Sequence, residues 1–275
     1  MKNKINPYFA GLLPKQTIMP ELPDLQVFSY NLTKLFKGKK LEKIDFKVAQ
    51  KLNVPESKVK DTLEGQTLTK VVRVGKELQF EFDNDHVLAT HLMLHGQLHQ
   101  FDKTNDHKFT IVEMLFEGDK GLALTDFQKA ATPTLDPEKL DTPDALDFDD
   151  KYLENKLGAT RTPVKTVLMD QKVLRGIGNA YADEILYDAK LSPFSASNKI
   201  PANKVKQLAK SIKKVLEDSE KHILKNNPDI ISGEFRDFMQ VHQSKRKLTT
   251  AGEIIHQKPI GARKTYYTDG QELFS

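Results

Sequence analysis

LMDQKVLRGIGNAYADEILYDAKLSP, residues 168–193, holds two short apolar-periodic segments separated by RGIG. Gly176 and Gly178 free the backbone for a tight turn, and Asn179 is a favoured N-cap for the helix predicted by NAYADEILYDAKL. VKTVLMDQKVL, from Val164 to Leu174, predicts another helix in front of the turn. A helix start beneath a glycine turn points unpaired N–H groups outward, and the helix dipole favours an anion there. In a basic segment the natural anion is phosphate. A plain tight turn between packed helices is the other reading of the same residues.

Working outward, the helical period continues. ANKVKQLAKSIKKVLEDSEKHIL, residues 202–224, carries Val205, Leu208, Ile212, Val215 and Leu216 on one stripe, with lysines on its other faces. From Leu248 to Phe274, Gly252, Pro259, Gly261 and Gly270 punctuate EIIHQ and KTYYT, the pattern of a β-hairpin. Towards the N-terminus the period changes. LEKIDFKV, LTKVVRV, ELQFEF, HVLATHLML, FTIVEMLF and GLALTDF are short strand-like runs, several separated by turn residues, which predicts a β-sandwich or barrel. Before them, Leu25, Phe28, Leu32 and Leu35 predict a helix from Pro23 to near Gly38. The acidic segment 135–150, with two prolines, reads as a domain linker.

Composition narrows the classes. Of 275 residues, 38% are hydrophobic and 15 are Phe, which fits a globular chain long enough for two ordinary cores. No apolar run approaches the roughly 20 residues needed to span a bilayer. The short YFAGLL near the start is cut off by Pro14 and Lys15, against a secretory signal. There is no Cys, so disulfides and thiolate metal sites are excluded, and a cytoplasmic location is expected. Residues 1–150 hold 20 Lys and Arg against 24 Asp and Glu; residues 151–275 hold 22 against 14. The C-terminal half thus has the charge sign a polyanion requires, although a solvated lysine-rich surface has it too.

A second stretch, IMPELPDL at residues 18–25, sets an internal Met before two prolines alternating with acids. Proline just inside a helix start with acids in its first turn is an ordinary entrance signal. Together, however, the two stretches resemble the formamidopyrimidine-DNA glycosylase/endonuclease VIII family. LMDQKVLRGIGNAYADEILYDAKLSP is similar to that family's helix–two-turns–helix element, which clamps the DNA backbone, and PELPD is similar to its N-terminus after the initiator Met. The resemblance runs, patchily, from Met19 to about Phe274.

The resemblance implies an α+β fold: an N-terminal β-sandwich domain with an N-terminal helix, a C-terminal helical helix–two-turns–helix domain, and a terminal zincless β-hairpin. The expected boundaries are an upstream extension at 1–18, a catalytic sandwich at 19–134, the acidic linker at 135–150, the DNA-binding domain at 151–247 and the hairpin at 248–275. It also implies chemistry. A secondary amine at a chain end has a pKa of about 8, so a useful fraction is neutral and nucleophilic at pH 7. Pro20 would attack C1′ of a damaged nucleoside, displace the base and form an iminium ion, while Glu21 moves protons. Elimination then breaks the strand. With Met1 as its start, Pro20 is an internal imide, so Met19 is expected to be the true start, with its methionine removed.

Other positions follow from the same resemblance. RVGKELQF matches the β-turn whose lysine helps elimination, which falls on Lys76. HLMLHG places Leu94 where an apolar side chain fills the gap left by a flipped base. His107 lies near a DNA-contacting histidine, Arg161 and Lys165 near lysines facing phosphate, and Gly178 and Asn179 in the clamp. ARKTYYT keeps Arg263 at the arginine gripping the phosphates beside the lesion.

There are departures. In LTDFQKAATP the usual Pro-Arg-Arg-Phe run is Phe127-Gln128-Lys129-Ala130, so Lys129 stands where an arginine reads the orphaned base and Ala130 where an aromatic wedge sits. Lysine does not reproduce arginine's bidentate fork, which leaves the partner-base preference open. Four zinc-binding cysteines are replaced in the tail, and Ile255, Ile260, Tyr266 and Tyr267 are expected to pack in place of the metal. His91, His95 and His99 share a face by spacing, but Gly96 interrupts them and no carboxylate joins, so no metal and no cofactor is expected. The expectation is a monomeric bifunctional DNA glycosylase/AP lyase of base-excision repair acting on duplex DNA with damaged bases or abasic sites. Its alternatives are an AP-site lyase without base excision, a catalytically silent damage binder and a basic RNA-binding protein.

Overall fold

Helix α1 (Leu22–Phe36) opens the computed structural model, which describes residues 19–275. The extension expected at 1–18, and with it the question of the true start, lies outside the described residues. Asp24 accepts the Glu21 N–H at 2.9 Å and Pro23 sits in the first turn, so the entrance signals act locally as they read. The helix closes before Gly38, which takes a positive φ of 80°.

The strands β1 (Leu41–Phe46), β2 (Leu68–Val74), β3 (Glu77–Phe82), β4 (Val87–His91), β5 (Gln97–Asp102), β6 (Thr110–Phe116), β7 (Lys120–Thr125) and β8 (Thr132–Leu135) form two antiparallel four-stranded sheets. Their orders are β1-β6-β7-β5 and β2-β3-β4-β8. Alternation fixes the inward faces: Leu78, Phe80 and Phe82 on β3 are buried while their neighbours are only half-buried. They meet Leu122 and Leu124 of β7 and the buried stripe Leu25, Phe28, Leu32 and Phe36 of α1 in one core. β8 contains Pro133, which is tolerated because β8 is the edge strand of its sheet. That proline, and the polar run of β5, hide both strands from a reading by pattern. Helix α2 (Glu56–Leu63), which buries only Val59, Thr62 and Leu63, is hidden for the same reason.

The acidic segment after β8 is packed. Ala145 and Phe148 are buried in the second core, and Asp144 pairs bidentately with Arg73 of β2 at 2.6 and 2.9 Å. Asp149, in the same acidic run, caps helix α3 (Asp150–Gly158) by accepting the Lys151 N–H at 2.7 Å.

Helices α4 (Val164–Met169), α5 (Asn179–Asp188) and α6 (Ala202–Asn226) follow, then the hairpin β9 (His256–Ile260) and β10 (Arg263–Tyr267). The single helix expected over 164–174 stops at Met169. Asp170 turns extended and its carboxylate accepts the Lys172 N–H, while the Gln171 side chain bridges the Met169 and Ile177 carbonyls and the Gly176 N–H. The stripe of α6 packs inward, with Val205, Leu208, Ile212 and Leu216 buried and Val215 half-buried. Leu22, at the start of α1, belongs to this second core, so α1 joins both.

Candidate active site

Glu21 stands where the two cores meet, in front of α1. The Leu22 N–H reaches across to the Gly176 carbonyl at 3.3 Å, tying the chain here to the glycine turn. The Glu21 carboxylate continues across the seam and accepts the N–H groups of Gly178 (2.7 Å), Ala180 (2.9 Å) and Tyr181 (3.3 Å). The first turn of a helix leaves its N–H groups without intrahelical partners, and the dipole favours a negative charge there. An anion was expected beneath this turn; a protein carboxylate, only 3% exposed, occupies the helix start.

Both glycines are required by close approach. A Cβ on Gly178 would lie 2.3 Å from the Glu21 carboxyl carbon, and one on Gly176 would lie 2.6 Å from Leu22, where φ is also +107°. Gly178 is the N-cap of α5, in extended conformation. Asn179, expected as the cap, is the first helical residue instead. Its side-chain amide donates to the Lys264 carbonyl at 3.1 Å, which ties the helix start to the terminal hairpin.

Lys76 sits with Gly75 in the tight turn between β2 and β3. Burial lowers its pKa; the nearby Glu21 carboxylate opposes that shift and the Arg263 guanidinium adds to it. Lys76 is therefore within electrostatic reach of both Glu21 and Arg263, although the three come from the cap of α1, a β-turn and the terminal hairpin. His91 of β4 lies beside Lys76. Burial, reinforced by the Lys76 charge, pushes its imidazole down to about 4. Its Nδ1 accepts the Met93 N–H at 3.0 Å, as a neutral ring does.

Lys165, expected to face phosphate, is instead 1% exposed and forms an ion pair with the fully buried Asp183 of α5 at 2.7 Å. It also donates to Thr265 Oγ1 (2.9 Å) and the Lys264 carbonyl (3.2 Å). Asp183 further accepts the Tyr266 N–H at 3.1 Å and meets His242 at 2.8 Å. This polar knot fastens the hairpin. The apolar packing expected there is a smaller part of the anchor: Tyr266 is buried, but Ile255, Ile260 and Tyr267 are only half-buried. A strand pattern shows an alternating Tyr but cannot show that a lysine 100 residues earlier comes to meet the neighbouring Thr265.

In front of Pro20 opens a cavity of about 1010 Å³, lined among others by Leu94, Phe109, Phe127 and Glu234. Leu94, at the tip between β4 and β5, is 49% exposed, and Phe127 is 55% exposed with His95 packed on its ring at 4.4 Å. His107 packs on His99 at 4.3 Å and shares a second hollow with Lys129 and Phe109. Lys129 is exposed, on a loop fixed by the Asp126 carboxylate, which accepts the N–H groups of Gln128, Ala130 and Ala131. Arg161 is exposed between α3 and α4. The rings of His91, His95 and His99 turn to separate partners, and the described residues hold no cluster of three metal-ligating side chains.

Comparison with known proteins bears on this arrangement directly. The model of the formamidopyrimidine-DNA glycosylase N-terminal domain matches residues 19–132, and that of its H2TH domain matches residues 140–224. The formamidopyrimidine-DNA glycosylase of Bacillus subtilis is 31% identical over 73% of this chain and 78% of its own length. The chain belongs to the formamidopyrimidine-DNA glycosylase family. A relative from Lactobacillus gasseri is 29% identical over 90% of this chain and 97% of its own. Among solved structures, the Lactococcus lactis Fpg bound to abasic-site DNA superposes with a TM-score of 0.80 at 25% identity, covering 90% of this chain and 98% of that one. MutM bound to DNA containing carbocyclic 8-oxo-G gives the same TM-score, identity and coverage.

Three features of this family member were not visible from its motifs. Asp24 is paired bidentately with Arg236, at 2.8 and 2.7 Å, from a loop more than 200 residues away. Glu184 of α5 accepts the N–H groups of Gln240, Val241 and His242, holding that loop's far end. Phe127 presents an aromatic face at the cavity mouth, close to where the Ala130 substitution had suggested none. An aromatic in a polar turn, TDFQK, was the signal available for it.

Proposed function

We infer that the chain is a DNA glycosylase of base-excision repair with AP lyase activity, acting on duplex DNA that carries damaged bases or abasic sites. The observation that carries the reading of the site is the anchoring of Glu21, next to Pro20, on the glycine turn, with Lys76 of the β2–β3 turn within electrostatic reach of both Glu21 and Arg263 of the hairpin. In this reading the Pro20 nitrogen forms a bond to C1′ as the base leaves with the bonding electrons, and Glu21 delivers or removes the protons. The Pro20 nitrogen gives up its proton, the C1′–O4′ bond breaks as O4′ takes a proton from Glu21, and the resulting iminium acidifies the C2′–H, whose loss expels the 3′ phosphate. Leu94 and Phe127 fill the stack from which the nucleotide has swung, and damaged bases flip at lower cost. Lys129 and His107 lie along the strand path, and Arg161, Asn179 and Arg263 attend the phosphates, while Gly178 holds Glu21.

The chemistry requires a free Pro20 nitrogen, so the active form begins at Pro20; the family match that starts at residue 19 supports this. Borohydride trapping on a duplex with one abasic site tests the reading. A covalent adduct is expected from the protein beginning at Pro20 and lost in Pro20→Gly, and intact mass shows whether residues 1–19 have been removed. Binding without an adduct leaves a silent damage binder; an adduct without release of any damaged base leaves an AP lyase. A second nucleophile has its own observation: Lys76 is a desolvated amine beside Glu21. Trapping that survives Pro20→Gly and disappears in Lys76→Met assigns the bond to Lys76.

A further inference from the structure

Lys76 is carried on the tip of the two-residue loop between β2 and β3, where a hairpin ordinarily leaves its backbone to solvent and free to move. Here the tip is gripped. Gly75, at a φ of +59°, donates its N–H to Asp144 Oδ2 at 3.3 Å. Its carbonyl, part of the peptide that enters Lys76, accepts from Arg73 Nη1 at 3.2 Å. These two side chains hold each other through their bidentate pair at 2.6 and 2.9 Å.

The pair is itself fixed from several sides. Arg73 Nε donates to Gln26 Oε1 at 2.8 Å, which ties the turn to α1, the helix that Glu21 caps. Asp144 Oδ1 also accepts the Leu146 N–H at 3.1 Å. The backbone around Asp144 runs along Arg175, the residue before the glycine turn. The Arg175 N–H meets the Pro143 carbonyl at 3.0 Å, and the Ala145 N–H meets the Arg175 carbonyl at 2.9 Å. Arg175 also packs on the tip, since a Cβ on Gly75 would lie 3.2 Å from the Arg175 Cβ. A junction between two cores calls for the Arg73–Asp144 ion pair alone, whose side chains are 6% and 17% exposed. The two bonds to Gly75 act on the turn.

We propose that Asp144 and Arg73 are positioning residues for Lys76, setting the backbone that enters it in register with α1 and the glycine turn. The acidic segment, which reads in the sequence as a linker, thus supplies a carboxylate that places a side chain of the site. A lysine reaches its target through a long flexible stem, so its ammonium stays at a reacting centre only if its backbone is fixed. Held in this way, Lys76 keeps within reach of Glu21 and Arg263. Groups at a reacting centre must be held to within about 0.5 Å, which requires a supporting layer behind them. Neither Asp144 nor Arg73 makes or breaks a bond.

The proposal rests on the lyase reading, and a double-mutant cycle keeps the two apart. Protein beginning at Pro20 is assayed for single-turnover strand cleavage, with borohydride adduct formation in parallel, on a duplex with one abasic site. Asp144→Ala is expected to lower cleavage at saturating protein by roughly 10- to 100-fold, as a displaced reacting group does, with duplex affinity changed far less. Asp144→Asn, which keeps an acceptor for the Gly75 N–H, loses less. In a Lys76→Met background, where no ammonium is left to place, Asp144→Ala costs less than about a further twofold. Urea unfolding checks that each variant is folded at the assay temperature, and Asp144→Asn takes the place of Asp144→Ala in the cycle if the latter unfolds. A loss as large in Lys76→Met as in the wild type would assign the pair to the fold alone and overturn the proposal. Unchanged cleavage in Asp144→Ala, or in Lys76→Met, would overturn it too. Failure of the wild type to form an adduct on the abasic duplex counts against the lyase reading instead.

Discussion

Phe28, Phe36, Phe80 and Phe116 fill the sandwich core beside leucines and isoleucines, whereas the seams that join sandwich, helices and hairpin carry buried charge. Glu21 reaches α5, Arg236 reaches Asp24, Arg73 reaches Asp144 and Lys165 reaches Asp183, each across an element boundary. The aliphatic core is non-directional and tolerates repacking as long as volume is kept. Charged pairs are directional: they hold only at one distance and angle, and breaking one leaves a desolvated charge behind. The difference teaches that the sandwich supplies stability while the seam supplies register, aligning Pro20 and Glu21 with a helix start and a hairpin from distant parts of the chain.

The comparison breaks most readily at Asp183. Asp183→Ala leaves the Lys165 ammonium buried without its partner and unfastens the hairpin, with an expected loss of about 3–5 kcal/mol by urea unfolding. Because Arg263 sits on that hairpin, affinity for abasic-site DNA falls as well. A Phe80→Ala change of similar cost, about 3–5 kcal/mol, would lower stability without displacing Arg263. If both variants lose DNA affinity equally when measured well below their melting temperatures, the seam has no special role in register.

Acid comes next. Unfolded, His91 titrates near 6.5; folded, it is held down to about 4, so the unfolded chain binds the extra proton first as pH falls. The stability its neutral ring confers is complete above about 6.5 and is lost as pH drops from there through about 4, amounting to about 3 kcal/mol. Denaturation series at pH 7 and pH 4 should show this fall in the wild type, and a reduced fall in His91→Gln.

Gly178→Ala sharpens the contrast in the other direction. The added methyl meets the Glu21 carboxyl carbon at 2.3 Å, so overpacking costs about 1–3 kcal/mol. Displacement of Glu21 lowers strand cleavage by roughly 100-fold, since small misplacements at a reacting centre are expensive. Cleavage kinetics and thermal melts on one preparation measure both. The smallest effect is expected at Lys34–Asp229, whose side chains are 74% and 82% exposed. Asp229→Asn should shift stability by less than about 0.5 kcal/mol, which marks the floor for ion pairs outside the seam.

Much of this organisation was legible in the residues. The alternation of ELQFEF, the stripe of 202–224, and the entrance signals of PELPD each lie within a few positions of one another, and local backbone geometry answers to such neighbours. Strand β8 was not legible, because its proline is acceptable only at a sheet edge. The stop at Met169 was missed because the side chain of Gln171, not an apolar gap, orders the turn. At the site, Glu21 and the glycine turn were marked by their motifs. Lys165 was misplaced because a lysine's sequence context does not reveal an aspartate waiting in a neighbouring helix. Glu234 and Arg236 stand in a loop whose residues have no periodicity to read.

By itself the chain's sequence determined its two kinds of secondary structure, their order, the family motifs at Pro20 and Gly176–Asn179, and the replacement of every zinc-binding cysteine. Only the tertiary structure decided which carboxylate fills the start of α5, which aspartate fastens the hairpin and which acid faces the cavity. Glu21 and Gly178 are 157 residues apart, and the contact between them exists only once two cores have packed on either side of α1. Periodicity is written by near neighbours, whereas the partner of a buried charge is chosen by burial, after the chain has come together.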